Sequence, residues 1–410
     1  MSGEAERTSF RDLFGMGEFR ALWLAQLLSV AGDQVARVAL TLLVYDRTRS
    51  AALAAVTFVM GMLPAFVGGI LLSGLGDRLP RRTVMVGCDL ARAALVIIMI
   101  IPGLPLAALV ALLFAVSAGS APFTAARSAL YPEILSGGRY MAATAITLTT
   151  SQFAQVTGFA AGGAIAGFFG VRTALLTDAA TFAVSALLIA RGVTNRPAPP
   201  PGTLRRAGVL ASPAAAIRLV LTSPALRTPM LLAWLAAFYN APEGVATPFA
   251  HQLHGGGATA GLLLAAPALG YSLTALLFSK LAPAPRQQLM LPLATVCCAL
   301  LIPLAVHPPL AVTLPILAAS GGCACFQVAA NAAFVAAAPA QQRSQATGLA
   351  IAGLSLGQGL AMIAAGAAAD FFAPSVVIAA AGAAGTAAAG MLGLSARSRA
   401  QPRRSTAEPR

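Results

Sequence analysis

Apolar stretches of roughly twenty residues, the length of helix that crosses the hydrocarbon core of a bilayer, recur in this chain from Phe19 almost to the C-terminus with short polar breaks between them. A water-soluble core does not accommodate that pattern. Of the 410 residues, 58% are hydrophobic and 10% charged, so most helices would have no polar face to turn to solvent. In lipid a helix satisfies its own backbone, and open sheets do not. The predicted spans are 19–45, 51–76, 83–101, 105–125, 141–168, 172–191, 226–250, 258–282, 287–306, 309–337, 345–370 and 374–396. Twelve such segments predict an all-α membrane protein.

Charge orients the spans. The formal net charge of +14 would suit a nucleic-acid partner only if the basic residues formed one patch, and they alternate with topology instead. Arg78, Arg81, Arg82, Arg127, Arg139, the run at 191–227, Lys280, Arg286, Arg343 and the tail arginines fall on one side, whereas Arg47, Arg49 and Arg172 fall on the other. The positive-inside bias then places both termini in the cytoplasm and excludes a nucleic-acid role. Abundant Arg with a single Lys fits a GC-rich bacterial genome, hence a multi-pass protein of the bacterial inner membrane. No cleavable signal is expected ahead of the first span, because residues 1–18 carry Glu4, Glu6, Arg7, Arg11 and Asp12. Cys88, Cys297, Cys298, Cys323 and Cys325 all lie in apolar stretches, where packing rather than a disulfide framework is expected.

A Pro-, Arg- and Gly-rich segment, NRPAPPPGTLRR, interrupts the spans near the middle of the chain. It predicts an N-terminal six-helix bundle at 1–191, a cytoplasmic linker at 192–225, a C-terminal bundle at 226–396 and a cytoplasmic tail at 397–410. A shift of 203 positions places Gln155, Gly163, Ala164, Ala166, Phe168 and Phe169 on Gln358, Gly366, Ala367, Ala369, Phe371 and Phe372. Two copies in the same orientation require an even number of spans in each. Two pseudo-symmetric bundles of six helices follow.

Ionisable groups inside a span are expensive and therefore candidates for function. Asp33 lies near the middle of the first span with Arg37 one turn later, an acid-before-base order that favours an i,i+4 pair. The two either neutralise one another or leave Asp33 lining an aqueous cavity and titrating with transport; Arg37, nearer the outer face, is expected to snorkel. In span seven, Asn240, Pro242, Glu243, Gly244 and Pro248 interrupt the apolar run, which a bilayer tolerates only beside protein or a water-filled cavity. Glu243 is the second acid that could couple transport to protons, the alternative being solvation at the outer mouth. Gln26, Gln152, Gln155, Tyr239, Asn240, Gln327, Asn331 and Gln358 are polar residues at membrane depth in both halves. They bond helices together or line a shared substrate cavity. Asp89 and Arg92 read as a helix-face salt bridge near the cytoplasmic surface, and Asp178 and Asp370 as solvated or capping residues at helix ends. The three histidines lack metal-ligand spacing, and no phosphate-cradling Gly-Lys-Ser/Thr loop is present. Neither a cofactor nor an enzymatic activity is expected, and the working unit is a monomer.

The loop at 73–82 reads SGLGDRLPRR. It resembles the signature that major facilitator superfamily transporters carry between helices two and three, with Leu75, Asp77, Arg78, Arg81 and Arg82 matching and Ser73 and Pro80 standing in for glycines. The resemblance implies that this loop closes a cytoplasmic gate, with Asp77 and Arg81 as gate residues. FRALWLAQLLSVAGDQ, ARSALYPEIL, QVTGFAAGGAIAGFFG and TDAATFAVSALL look like landmarks of the exporter branch that includes macrolide-efflux and enterobactin-export permeases. That branch implies efflux of drug-like or secondary-metabolite molecules in exchange for protons by alternating access. Phe159 stands where the antiporter pattern would have Gly-Pro, so a facilitator or importer remains open, as does a transport-dead receptor or scaffold.

Overall fold

In the computed structural model, residues 10–62, 79–135, 138–197, 218, 222–339 and 343–400 are described, and no strand occurs among them. They make up twelve crossings. The first bundle contains span 1 (Gly17–Thr48), the start of span 2 (Ala51–Met60), span 3 (Arg81–Met99), span 4 (Leu106–Ala118 running on as Ser120–Ile134), span 5 (Gly138–Phe169) and span 6 (Val171–Gly192). The second contains span 7 (224–252), span 8 (Gly257–Phe278), span 9 (Pro283–Ala299 with a 3-10 turn, Ile302–Val306), span 10 (Leu310–Cys323 and Phe326–Ala337), span 11 (Arg343–Ala369) and span 12 (Pro374–Ala400).

Eight segments are by length and apolarity alone able to cross a membrane. The other crossings fall short for visible reasons. Span 3 carries Arg81, Arg82, Asp89 and Arg92, span 5 carries Gln152 and Gln155, span 7 is broken, and span 2 is described only as far as Met62. Span 4 is longer than its predicted end at 125, because Leu130 and Tyr131 bury against Leu22, Met85 and Phe123 and carry the helix on to Ile134. Arg127 therefore sits within a span rather than in a loop, its guanidinium 5.9 Å from the Tyr131 ring centre.

Within the first bundle, span 1 packs on spans 5 and 6, and span 3 on span 6; within the second, span 8 packs on span 10 and span 9 on span 12. Glu18 ties the start of span 1 to the chain leaving span 6, accepting from the Thr194 N–H at 2.7 Å and from Arg196 at 2.8 Å. We call the end of the bundles where Glu18 lies the linker end and the opposite one the distal end.

The bundles meet through two symmetry-related pairs, span 5 on span 8 and span 11 on span 2. The internal repeat explains this. Gly163 faces the bare backbones of Gly257 and Gly261, and its repeat mate Gly366 faces Ala51 and Ala55. A Cβ on Gly163 would stand 2.6 Å from the Gly261 Cα, a gap that neither backbone can open without separating the helices. Phe168, Phe169, Phe371 and Phe372, also related by the repeat, are all exposed on the outer surface, as suits residues that meet lipid.

Gly163→Val should overpack this contact and cost about 1–3 kcal/mol, lowering the thermal unfolding midpoint of the purified protein. Gly357→Ala, where an added Cβ meets nothing within 4 Å, should leave the midpoint unchanged or raise it. Equal midpoints for the two variants would contradict the close approach.

Candidate functional site: an interbundle cavity beside a buried charge cluster

Span 7 is built from four short helices, with breaks at Leu235, Asn240 and Val245. Pro242 and Pro248 lack the N–H that a continuous helix would use, and Gly244 lies against the Met362 backbone, where a Cβ would approach the carbonyl to 2.8 Å. The freed backbone borders a cavity of about 360 Å³ lined by Gln152 and Gln155 from the first bundle and by Tyr239, Asn240, Glu243, Tyr271, Gln327 and Gln358 from the second. A second cavity of about 400 Å³ holds Trp234, Asn331 and Phe334. The two share Tyr271, Gln327 and Leu354, and the second also includes Pro229, Met230 and Thr347 near the linker ends of spans 7 and 11. Gln327 is held in place by donating to Tyr239 Oη and to the Ala233 carbonyl, both at 2.8 Å. Gln155 and Gln358, mates in the repeat, face the same space. Gln26 is half-buried on span 1 and lines neither cavity.

Beside the cavity lies a cluster of charge that differs from the expected pairing. Asp33 does not bond Arg37; its carboxylate receives Arg92 Nη2 at 2.5 Å. Arg92 is no surface residue. Its side chain is 2% exposed, donating from Nε to the Val116 carbonyl and from Nη1 to Ser29, each at 3.1 Å, with the Phe182 ring centre 4.0 Å away. Asp89 is fully buried, 3.8 Å from Arg92 and accepting from Ser185 Oγ at 2.5 Å. Asp178, expected to be solvated, is fully buried as well. The physical reason is helix packing: spans 1, 3 and 6 bury these faces against each other, so an i,i+4 or i,i+3 neighbour competes with partners from adjoining helices.

Arg37 does not snorkel. Its Nη2 donates to the Gly61 carbonyl at 2.6 Å and its guanidinium lies 5.5 Å from the Phe58 ring centre. A Cβ on Gly61 would meet Arg37 Nε at 2.7 Å, so the missing side chain makes the room. From there Arg37 interacts electrostatically with both Asp33 and Glu243. One cation thus connects the acid of the first bundle with the acid on the cavity wall.

The distal end is closed by contacts between bundles. Asp370 caps a helix, as expected, but in the other bundle: its carboxylate accepts from Ala51 N–H at 2.5 Å and Ser50 Oγ at 3.0 Å at the start of span 2. His251 Nε2 lies 3.5 Å from Asp46, and its ring packs on Tyr45. At the linker end, Arg81 donates to the Ala129 carbonyl at 2.7 Å and pairs with Glu133, while Arg82 bonds the Ala190 carbonyl. These two arginines fasten span 3 to spans 4 and 6 of their own bundle. Ser73, Leu75, Asp77 and Arg78 lie outside the described residues.

Residues 11–406 match the family described as transmembrane secretion effectors. The chain belongs to this family. Its members are transporters of the major facilitator type and not enzymes. A local relative is macrolide efflux protein A of Streptococcus pyogenes, 30% identical over 122 residues, which span 29% of this chain and 30% of that protein. The alignment thus reaches less than a third of the relative's length. Among solved structures, a peptide transporter, POT, in complex with sulfate is similar at TM-score 0.72 and 14% identity, covering 94% of this chain and 95% of that one. An inward-facing, unoccupied bacterial homologue of the human lysosomal transporter Spinster is similar at TM-score 0.66 and 18% identity, covering 93% and 95%. At such identities the likeness establishes the twelve-helix fold.

Asp33 and Arg92 would be sensed by sequence only as two charges in different spans. Arg92→Met should strip the counter-ion from Asp33 and from the buried Asp89 and destabilise the protein by about 3–5 kcal/mol. Adding Asp33→Asn to Arg92→Met should recover part of that loss in thermal unfolding. A double variant no more stable than Arg92→Met would show that the pair does not carry the cluster.

Proposed function

We propose that this chain exports small amphipathic molecules across a bacterial inner membrane by alternating access, in exchange for protons. The observation that carries the reading is the cavity between the bundles, apolar and aromatic on most of its wall, with one carboxylate, Glu243, and a few amides facing in. Such a lining selects by size and amphipathicity more than by one hydrogen-bond pattern. Tyr239, Tyr271 and Trp234 offer flat apolar surface with polar edges, and Glu243 offers a counter-charge to a cationic substrate.

With the linker and termini in the cytoplasm, the cavity run leads to the cytoplasmic side and the distal contacts seal the outside. The arrangement suits loading from within. Outward opening requires separating span 5 from span 8 and span 11 from span 2, and releasing Asp370 and His251 from the first bundle. The loop at 73–82 would then close the cytoplasmic side, with Asp77 and Arg81 as its polar contacts. Asp33 couples this cycle to protons: its side chain is 25% exposed, and protonation would release Arg92. Glu243, sharing Arg37 with Asp33, senses the same event from the substrate side.

Reconstituted protein should drive a lipophilic cationic dye against its gradient when a pH gradient is imposed. Asp33→Asn should remove that dependence while substrate exchange without a gradient persists. Accumulation with normal pH dependence in Asp33→Asn would make Asp33 structural and move the test to Glu243→Gln. Dye binding should also quench Trp234, and Trp234→Phe should lose most of the quench while Trp23→Phe keeps it, because Trp23 bonds Thr150 inside the first bundle.

A further inference from the structure

One face of span 6 presents Asp178, Thr181, Phe182 and Ser185 at helical spacing toward spans 1 and 3. Ser185 and Phe182 serve Asp89 and Arg92. Asp178 serves nothing visible. It has no exposed surface, and neither of its carboxylate oxygens has a hydrogen-bond partner. The nearest hydroxyl, Thr181 Oγ1, donates instead to the Asp178 main-chain carbonyl at 2.7 Å. The carboxylate rests against the bare backbone of Gly32, where a Cβ would stand 2.5 Å from Oδ1.

The charges around it are few. Span 1 contributes Asp33 and, one turn on, Arg37; span 3 contributes Asp89 and Arg92. Span 5, the other helix packed on span 6, has no ionisable side chain beyond Arg139 and Tyr140 near its linker end, and span 6 itself has only Arg172 and Arg191 near its two ends. Arg92 is already occupied, with Nη2 on Asp33, Nη1 on Ser29 and near Asp89, and Nε on Val116. Three acids therefore share one guanidinium; Asp89 and Asp178 are both sealed from water, and of these two only Asp178 has a donor on neither oxygen. An ionised carboxylate in that position would have only the shared Arg92 charge and the Thr181 hydroxyl nearby to offset complete burial beside two other acids. A metal cation would require several converging oxygens, whereas Asp178 faces glycine backbone on one side and a committed hydroxyl on the other.

We propose that the first bundle contains a proton-binding site at Asp178, walled by Gly32, Thr181 and Asp33, with Arg92 as the counter-ion that all three acids share. In the conformation described, Asp178 is the neutral acid and Asp33 the anion. When Asp33 takes the proton of Asp178, one O–H bond forms as the other breaks, and Arg92 turns from Asp33 to the newly charged Asp178. The proton then sits at the one acid of the three whose side chain is partly exposed, from which it leaves the cluster. Only this last hand-over rests on the proton exchange proposed above; the protonated site does not.

Infrared spectroscopy of the protein in nanodiscs at neutral pH tests the site. The expected result is a carbonyl band of a protonated carboxylic acid that shifts on deuteration and is missing in Asp178→Asn. Because an amide matches a neutral acid in shape, Asp178→Asn should also fold and unfold at the wild-type temperature, unlike Arg92→Met. The proposal is overturned by absence of the band in the wild type, by its survival in Asp178→Asn, or by failure of Asp178→Asn to fold. It is equally overturned if sodium chloride, but not choline chloride, raises the unfolding temperature of the wild type and leaves that of Asp178→Asn unchanged, which would make the ligand sodium. In proteoliposomes, Asp178→Asn should keep exchange of the dye and lose its pH-driven accumulation. A wild type with the band but without pH-driven flux would refute the proposed coupling and leave the proton site standing.

Discussion

A guanidinium sealed among carboxylates at mid-membrane is the constraint to which the first bundle is fitted. Moving Arg92 out of water is heavily unfavourable unless every donor is used, and the surroundings show the consequence. Ser29 and the Val116 carbonyl take the donors that carboxylates do not reach, and Phe182 offers its ring face to the cation. Gly119, one turn beyond Val116, is bare where Arg92 passes; a Cβ there would stand 3.2 Å from the arginine stem. Spans 1, 3, 4 and 6 are thereby held to one register, since sliding any of them would strand a charge.

The second constraint is steric. The bundles meet in a contact made mainly of backbone and short side chains, where shape rather than deep interdigitation holds the helices. Gly163 with Gly257 and Gly261, and Gly366 with Ala51 and Ala55, supply it at positions related by the repeat. Polar contacts on either side, Asp370 at the start of span 2 and His251 near Asp46, add direction without a large buried apolar area. Asp370 meets the exposed N–H groups of a helix N-terminus, where a carboxylate is favoured by both the free donors and the helix dipole.

Much of this was legible in the residues. Hydrophobic length gave the crossings, and the 203-residue repeat gave two bundles whose matched glycines meet the opposite bundle. The polar residues of spans 5, 7, 10 and 11 are the cavity wall, because an amide in an apolar helix needs a partner or water. What could not be read was which helix each charge would face. Asp33 and Arg37 share a face by spacing, yet Arg92, 59 positions away, lies closer to Asp33. Asp178 sits eight residues into span 6, deep enough to be buried, but a one-dimensional reading near a predicted boundary takes it for a helix end. Position near a helix end makes Asp370 a solvated or a capping residue, and only packing shows that it caps a helix and that the helix belongs to the other bundle. In each case the missing information is a contact between spans, which hydropathy does not carry.

The two halves therefore differ in what they contribute despite the repeat they share. The first bundle buries the charge cluster, whereas the second supplies most of the cavity wall and the broken helix that shapes it. The charge cluster of one bundle reaches the cavity wall of the other only through something that touches both. Arg37 is that element: anchored on the Gly61 carbonyl at the end of Ala51–Met60, it interacts with Asp33 on its own helix and with Glu243 across the interface. Neutralising either acid changes how strongly Arg37 is held by the other, and the bundles lose or gain attraction accordingly. Because the same interface carries the glycine contacts of the distal end, a change of one charge at mid-membrane biases whether the bundles stay together there.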